Sequence, residues 1–260
     1  MKKKSSQLNF KFTLIQIICE TPYSLTELYF NEHFDEIKHR VYHTLNFLSL
    51  IALFTFYKIK LLVKILEGPV SNIQFFQLAP GEYFLSTVII SIYTGLLFCT
   101  PFILGQIVFF FGPALKKAEK NIIIWLLISS VVLFLLGLLF SYFILIPAAL
   151  NFFIFYASEV LEPFLSFNQY FSFISTLFFS TALVFQLPII QIILSIFKVL
   201  DPINMLKFWR PMILFSTILG AILTPSADPI TQLLLSSALF FLYFMGTIIS
   251  LYLTAKTVSI

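Results

Sequence analysis

Glu36 and Glu119 carry the most informative charges in the chain. Glu36 sits in His33-Phe34-Asp35-Glu36-Ile37-Lys38-His39-Arg40, and Glu119 in Pro113-Ala114-Leu115-Lys116-Lys117-Ala118-Glu119-Lys120, two short patches that are otherwise mostly basic. Each acid lies within about two helical turns of a long uncharged run. Two readings are open. In one, Glu36 pairs with Arg40 at i,i+4 and Glu119 with Lys116 or Lys120, each contact contributing only a few tenths of a kcal/mol. In the other, the acids form a pocket for a cationic partner.

Other catalytic signatures are missing from the sequence. It has no Gly-rich phosphate loop, no His-Glu-x-x-His and no pair of intramembrane aspartates, so nucleotide-driven pumping, metal hydrolysis and intramembrane proteolysis lack their residues. His33, His39 and His43 cluster just before the first uncharged run and read as interfacial polar residues rather than ligands. Cys19 and Cys99 fall one before the first span and one inside the second, too separate to read as a disulfide or a metal cluster. No cofactor or metal is expected, nor any nucleic acid. Inside the apolar runs the costliest side chains are Gln106, Gln186 and Gln191, since an amide in hydrocarbon needs partners. A neighbouring helix of the same chain is the ordinary partner. Gln186 stands apart because Pro188, two residues on, frees a backbone carbonyl beside it, the kind of irregularity that marks binding surfaces.

The elements that hold these residues are membrane spans. No Asp, Glu, Lys or Arg occurs in 83–115, 121–158 or 163–197, and only Asp228 interrupts 211–255. The 260 residues are 59% apolar and 11% charged with mean hydropathy +0.98, against roughly a quarter charged in soluble domains. Segments such as Ile122–Ile128 do not alternate, which argues against a barrel and for helices of about 20 residues. The spans drawn from the sequence are 42–62, 84–111, 122–150, 171–197, 211–223 and 230–254, the last two short. Ser24-Leu-Thr-Glu27 is a capping box, and Phe30, Phe34, Ile37 and Val41 form one stripe, so an amphipathic helix is expected to lead into the first span. Residues 1–30 read as a retained N-terminal tail and 31–260 as one membrane domain. Thirteen of the 16 Lys and Arg fall in alternate external segments, which by the positive-inside rule puts both termini on the cytoplasmic or stromal side.

Four motifs in order resemble one family. His33 to Arg40 resembles the His-Leu-x-Glu-Leu-Arg-x-Arg entry of TatC, a subunit of the twin-arginine translocase. Phe110-Phe-Gly-Pro113-Ala-Leu115-Lys-Lys117-Ala-Glu119-Lys120 is similar to its first cytoplasmic loop. Phe185-Gln186-Leu187-Pro188 matches the position where the family carries Glu or Gln in the fourth span. Leu223-Thr224-Pro225-Ser-Ala-Asp228-Pro-Ile-Thr-Gln232 is similar to its last far-side turn in the plastid and cyanobacterial form.

The resemblance implies an all-α membrane protein whose six transmembrane helices form a concave, glove-like bundle. It implies a receptor, not an enzyme, that binds twin-arginine signal peptides of folded precursors. Such a receptor works with single-span partners of the TatA and TatB type and forms a homo-oligomer within the receptor complex. The protonmotive force supplies the energy. Glu36 and Glu119 would accept the guanidinium forks bidentately, with Lys38, Pro113 and Leu115 in the same signal-peptide site. Gln186, beside Pro188, would face the hollow and meet a partner. Pro69, Thr224, Pro225 and Asp228 would be structural. Lys38 stands where the family has Arg, which keeps the charge and loses the fork. A thylakoid membrane is the expected location, with a bacterial or cyanobacterial inner membrane as the alternative. The rival function is a secondary transporter of a small solute, although the halves show no internal repeat. A structural assembly factor would have no use for the acids.

Overall fold

The computed structural model describes residues 34–70, 75–77, 79–111, 120–157, 165–225 and 228–258. The capping box at Ser24, the tail, Cys19, His33, Pro113, Leu115 and Glu119 lie outside them. The chain divides into two compact units, residues 1–45 and 46–260.

The described part of the first unit is 34–45, the opening turns of helix α1 (34–57). Phe34, Ile37 and Val41 recur on one side of it, all exposed. The remainder of α1 belongs to the second unit and ends at Tyr57. A turn at Lys58 follows, then α2 (Ile59–Glu67). The structure corrects the first span, which the sequence extends through to 62. Lys58, Lys60 and Lys64 cannot stay in hydrocarbon, and α2 is a separate amphipathic helix. Its Ile59, Leu62, Val63 and Leu66 face the core while the lysines stay outside. The 3-10 turn Gly68–Val70 carries Pro69.

Next come α3 (Glu82–Phe111) and α4 (Lys120–Phe140). A π-turn, Ser141–Leu145, carries α4 into α5 (Ile146–Ala157), so this span runs past the 150 drawn from sequence. Pro147 explains the π-turn. It has no N–H for the Phe143 carbonyl, and the Ile146 N–H reaches back five residues to the Ser141 carbonyl instead. The fourth span is broken into α6 (Phe167–Val184) and α7 (Leu187–Ile196). After it come α8 (Pro202–Lys207), α9 (Trp209–Leu223) and α10 (Pro229–Val258).

Among the described residues, four helical stretches are long and apolar enough to cross a membrane: Glu82–Phe110, Ile124–Tyr156, Phe167–Ile196 and Pro229–Thr254. With α1 and the short α9 they give an all-α integral membrane protein in the six-helix order that the sequence implied. The fifth helix is short, at 15 residues. The sixth, expected to be short as well, is 30 residues long. Asp228, in the turn before it, is the cap ahead of Pro229, where α10 starts.

At one end of the second unit the connections are tied together. A two-residue strand β1 (Phe75–Phe76) pairs in parallel with β2 (Leu165–Ser166). The Ser166 hydroxyl donates to Glu82 Oε1 at 3.0 Å, and the Ala79 N–H to Glu82 Oε2 at 3.3 Å. Tyr170 donates to the Leu66 carbonyl at 2.9 Å. Phe75 lies against the rings of Phe167, Tyr170 and Phe171. Beneath this, Ile90, Ile146, Phe171, Ile174 and Leu177 form a buried cluster.

Most buried hydroxyls here bond back to the preceding turn, as Ser91 does to Thr87 and Thr181 to Leu177. That habit lets small polar residues sit at helix contacts in a lipid-facing protein.

Candidate functional site

The first sequence-predicted acid is held by its own helix. Glu36 and Arg40 are one turn apart on α1, and Arg40 Nη2 donates to Glu36 Oε1 at 2.6 Å. The carboxylate side chain is 36% exposed, and Oε2 has no hydrogen-bond partner among the described residues. An additional guanidinium therefore finds one oxygen accessible and the other shared. Lys38 is exposed and sits two residues on, where a helix turns its side chain to the opposite side. The residue that orients Glu36 is Arg40, so the missing fork at Lys38 leaves this contact intact. His39 and His43 face each other at 4.9 Å between ring centroids in an edge arrangement. Among the described residues no group of three His, Cys, Asp or Glu could hold a metal ion.

Gln186 is placed differently from the expectation that it would face a hollow. It is 2% exposed. The Ser130 hydroxyl on α4 donates to Gln186 Oε1 at 2.7 Å, and Gln186 Nε2 donates back to the Ser130 carbonyl at 3.3 Å. Local chain chemistry explains why the amide is available. Pro188 has no N–H for the Val184 carbonyl, so α6 stops, and Gln186 becomes the cap of α7. There its own carbonyl accepts from the Ile189 and Ile190 N–H groups. Gly137 makes room for the neighbouring Phe185: a Cβ there would lie 3.0 Å from the Phe185 ring. Sequence reasoning missed Ser130. The signal was the pair Ser129-Ser130 in the middle of an otherwise apolar span, but nothing in it says which serine faces Gln186.

The last turn is a capping structure. Asp228, 2% exposed, accepts the Thr231 N–H on Oδ2 at 2.9 Å. Thr224 closes the end of α9 through its hydroxyl to the Gly220 carbonyl at 2.9 Å, and Pro225 follows it, exposed. Gln232 reaches the Thr217 carbonyl at 3.4 Å and ties α10 to α9. Gln106 lines an apolar cavity of about 330 Å³ with Phe47, Pro101, Phe102 and Leu127. A second cavity, about 290 Å³, opens among α2, α3, α4 and α6 between Leu62, Tyr93, Leu97, Leu138 and Phe178.

Comparison with known proteins points one way. Residues 32–237 match the family described as Sec-independent protein translocase protein (TatC). The chain is 54% identical to the uncharacterized tatC-like protein ycf43 of Trieres chinensis, over 92% of this chain and 88% of that one. It is 44% identical to the Sec-independent protein translocase protein TatC of Synechocystis, over 83% and 85% of the two chains. With the chloroplastic TATC of Pisum sativum it shares 42% identity over 83% of its own length and 62% of the pea protein's. A crystal structure of the twin arginine translocase receptor TatC in DDM superposes with a TM-score of 0.75 at 30% identity, covering 84% of this chain and 99% of that one.

Proposed function

The chain belongs to the TatC family of Sec-independent protein translocases, and from that premise we propose that it is the subunit that receives twin-arginine signal peptides. It is a multi-pass, non-enzymatic component of a protein translocase in a thylakoid or inner membrane. In the proposed reading both termini lie on the stromal or cytoplasmic side of a thylakoid membrane. Glu36 and Glu119 accept the guanidinium groups of the arginine pair, and Lys38, Pro113 and Leu115 contribute to the same site. Single-span TatA- and TatB-type proteins assemble on the membrane domain, with the Gln186–Pro188 break as the point that responds to them. Folded cargo then crosses at the expense of the protonmotive force, within a complex that holds more than one copy of this chain.

The observation that carries this reading is the Glu36 carboxylate. It stands on an exposed helix inside the family match, one oxygen tethered by Arg40 and the other without a partner among the described residues. A bidentate fork needs such an acceptor. The test is a photo-reactive residue at the exposed position His39, one turn along α1 from an intact Glu36, in the membrane-embedded protein. A precursor with two arginines should cross-link there, and one with both arginines replaced by glutamine should not. Equal cross-linking of the two precursors, or none with either, removes the site. Cysteines at the exposed positions Lys60 and Asp201 test the orientation, because they should label from opposite faces and Asp201 from the stromal or cytoplasmic one.

A further inference from the structure

We infer that the seam between α7 and α10 is an internal binding site for a water molecule, held by Gln191, Ser195 and Ser250. Three buried polar atoms on these two helices make no hydrogen bond among the described residues: Gln191 Oε1, Ser195 Oγ and Ser250 Oγ. The residues are 8%, 3% and 1% exposed. A buried polar atom without a partner is costly, so three along one helix contact call for a ligand that satisfies them together.

Their alignment follows from the contacts along the two helices. Leu187 lies in the cluster of Leu235, Leu239 and Leu242. Further along, Gly246 abuts Pro188 and Gln191, and Leu253 joins Ile189, Ile192 and Ile193. Residue numbers rise together on both sides, so α7 and α10 run in the same direction. Ser195 is one turn beyond Gln191 and Ser250 one turn beyond Gly246, which puts the two hydroxyls on the same stretch of seam. Gly246 sets the separation. A Cβ there would collide with Gln191 Oε1 and lie 2.9 Å from the Pro188 Cα. The helices meet on a glycine, and the amide oxygen is directed at a surface with no donor.

The chemistry of the three atoms selects the ligand. One is an acceptor and two are hydroxyls that both donate and accept. None is charged, so an ion has nothing to neutralise it. A water can donate to Gln191 Oε1 and to one serine while accepting from the other, and buried waters ordinarily make about three such bonds. The serines themselves support this. Ser91, Ser180 and Thr181 satisfy their hydroxyls on the preceding turn of their own helix, and Ser195 and Ser250 do not.

The experiment is thermal unfolding of the purified full chain in detergent, parent against Ser195→Ala, Ser250→Ala and the two together. Loss of one partner of a bound water should lower the midpoint in each single variant by ~2–4 °C, the shift expected for about 1 kcal/mol in a chain of this size. The double variant should lose less than the sum, since both changes act on one water. If either serine were an unsatisfied buried hydroxyl, removing it would leave the midpoint unchanged or raise it, and either result overturns the inference. A crystal map that orders solvent supplies the second reading, which does not depend on any variant folding. Water density within ~3.2 Å of Gln191 Oε1 and at least one hydroxyl supports the site, and a seam without density there overturns it.

Discussion

Removing the charge at Glu36 without changing its volume tests the receptor assignment most directly. Glu36→Gln breaks the contact in which Arg40 Nη2 meets Oε1 at 2.6 Å. That pair is half-buried and lies within one helix turn, where an i,i+4 pair contributes only ~0.3–0.5 kcal/mol, and the protein should insert and purify normally. Binding is a different matter. A hydrogen bond to a charged group contributes about 1.5–3 kcal/mol. At Glu36 the lower end applies, because the side chain is 36% exposed and Arg40 already shares the carboxylate. A loss of about 1.4 kcal/mol is a tenfold weakening, and that is the expected change in Kd for a labelled twin-arginine peptide titrated against the protein in nanodiscs. Glu119→Gln should weaken the same peptide by ten- to a hundredfold on the same argument. A twin-lysine peptide is the control. Its ammonium groups cannot form the two-pronged contact, so its weaker binding should change little in either variant. Arginine-peptide binding that is unchanged in both variants would refute the carboxylate site while leaving the family assignment in place.

Three further outcomes follow from single contacts. Gln186→Leu and Ser130→Ala should each destabilise the detergent-purified protein, and the double variant should recover part of the loss, since the pair shares two hydrogen bonds worth ~0.6–2 kcal/mol in a membrane setting; additive losses in unfolding midpoints would sink the pairing. Co-purification of a single-span partner with Gln186→Leu then separates a role in recruitment from a role in helix packing. Lys198 ends α7 at φ 56°, a left-handed conformation that disfavours an L side chain by about 1–2 kcal/mol. Lys198→Gly should therefore raise the unfolding midpoint, partly offset by the freer unfolded chain; a drop would show that the lysine makes a contact of greater weight. Asp228→Ala removes the cap of α10 and should cost ~0.5–2 kcal/mol, whereas Asp228→Asn should retain most of the stability. Equal losses in the two would mean that charge rather than capping is what Asp228 supplies.

Much of the fold is legible in the sequence because uncharged length is a direct physical requirement of a span. The errors fall where a charge has two meanings. Lys58 reads as a tolerable residue near the end of a span, yet it is the turn at which the chain leaves α1 and begins an amphipathic helix. Asp228 interrupts the last uncharged stretch and reads as part of the final far-side turn, without a stated role as a cap. An acid followed by proline is also a helix start, with the side chain on the N3 amide and the proline where no N–H is needed. The start drawn at 230 lies one residue from the observed start of α10 at Pro229. The π-turn at Ser141–Leu145 could be anticipated only as strain somewhere before Pro147, since proline specifies the missing bond but not how the backbone absorbs it.

The amides show where sequence reading ends. Gln186 and Gln191 look alike, two glutamines in one apolar run five residues apart, and each demands a partner for the same reason. Their surroundings differ through residues on other helices. Gln186, at the break made by Pro188, meets Ser130, which offers it both a donor and an acceptor. Gln191, on the next turn of α7, meets Gly246, which offers neither. A single sequence holds both facts only as unassigned serines and glycines in neighbouring spans. The crossing of α4, α7 and α10 decides which amide is satisfied within the protein and which is left to recruit a partner from outside its own atoms. A polar residue in a membrane span therefore marks a demand, and its partner is set by packing, which is why the two glutamines call for opposite experiments: a coupling cycle with Ser130 for the first and a search for bound water for the second.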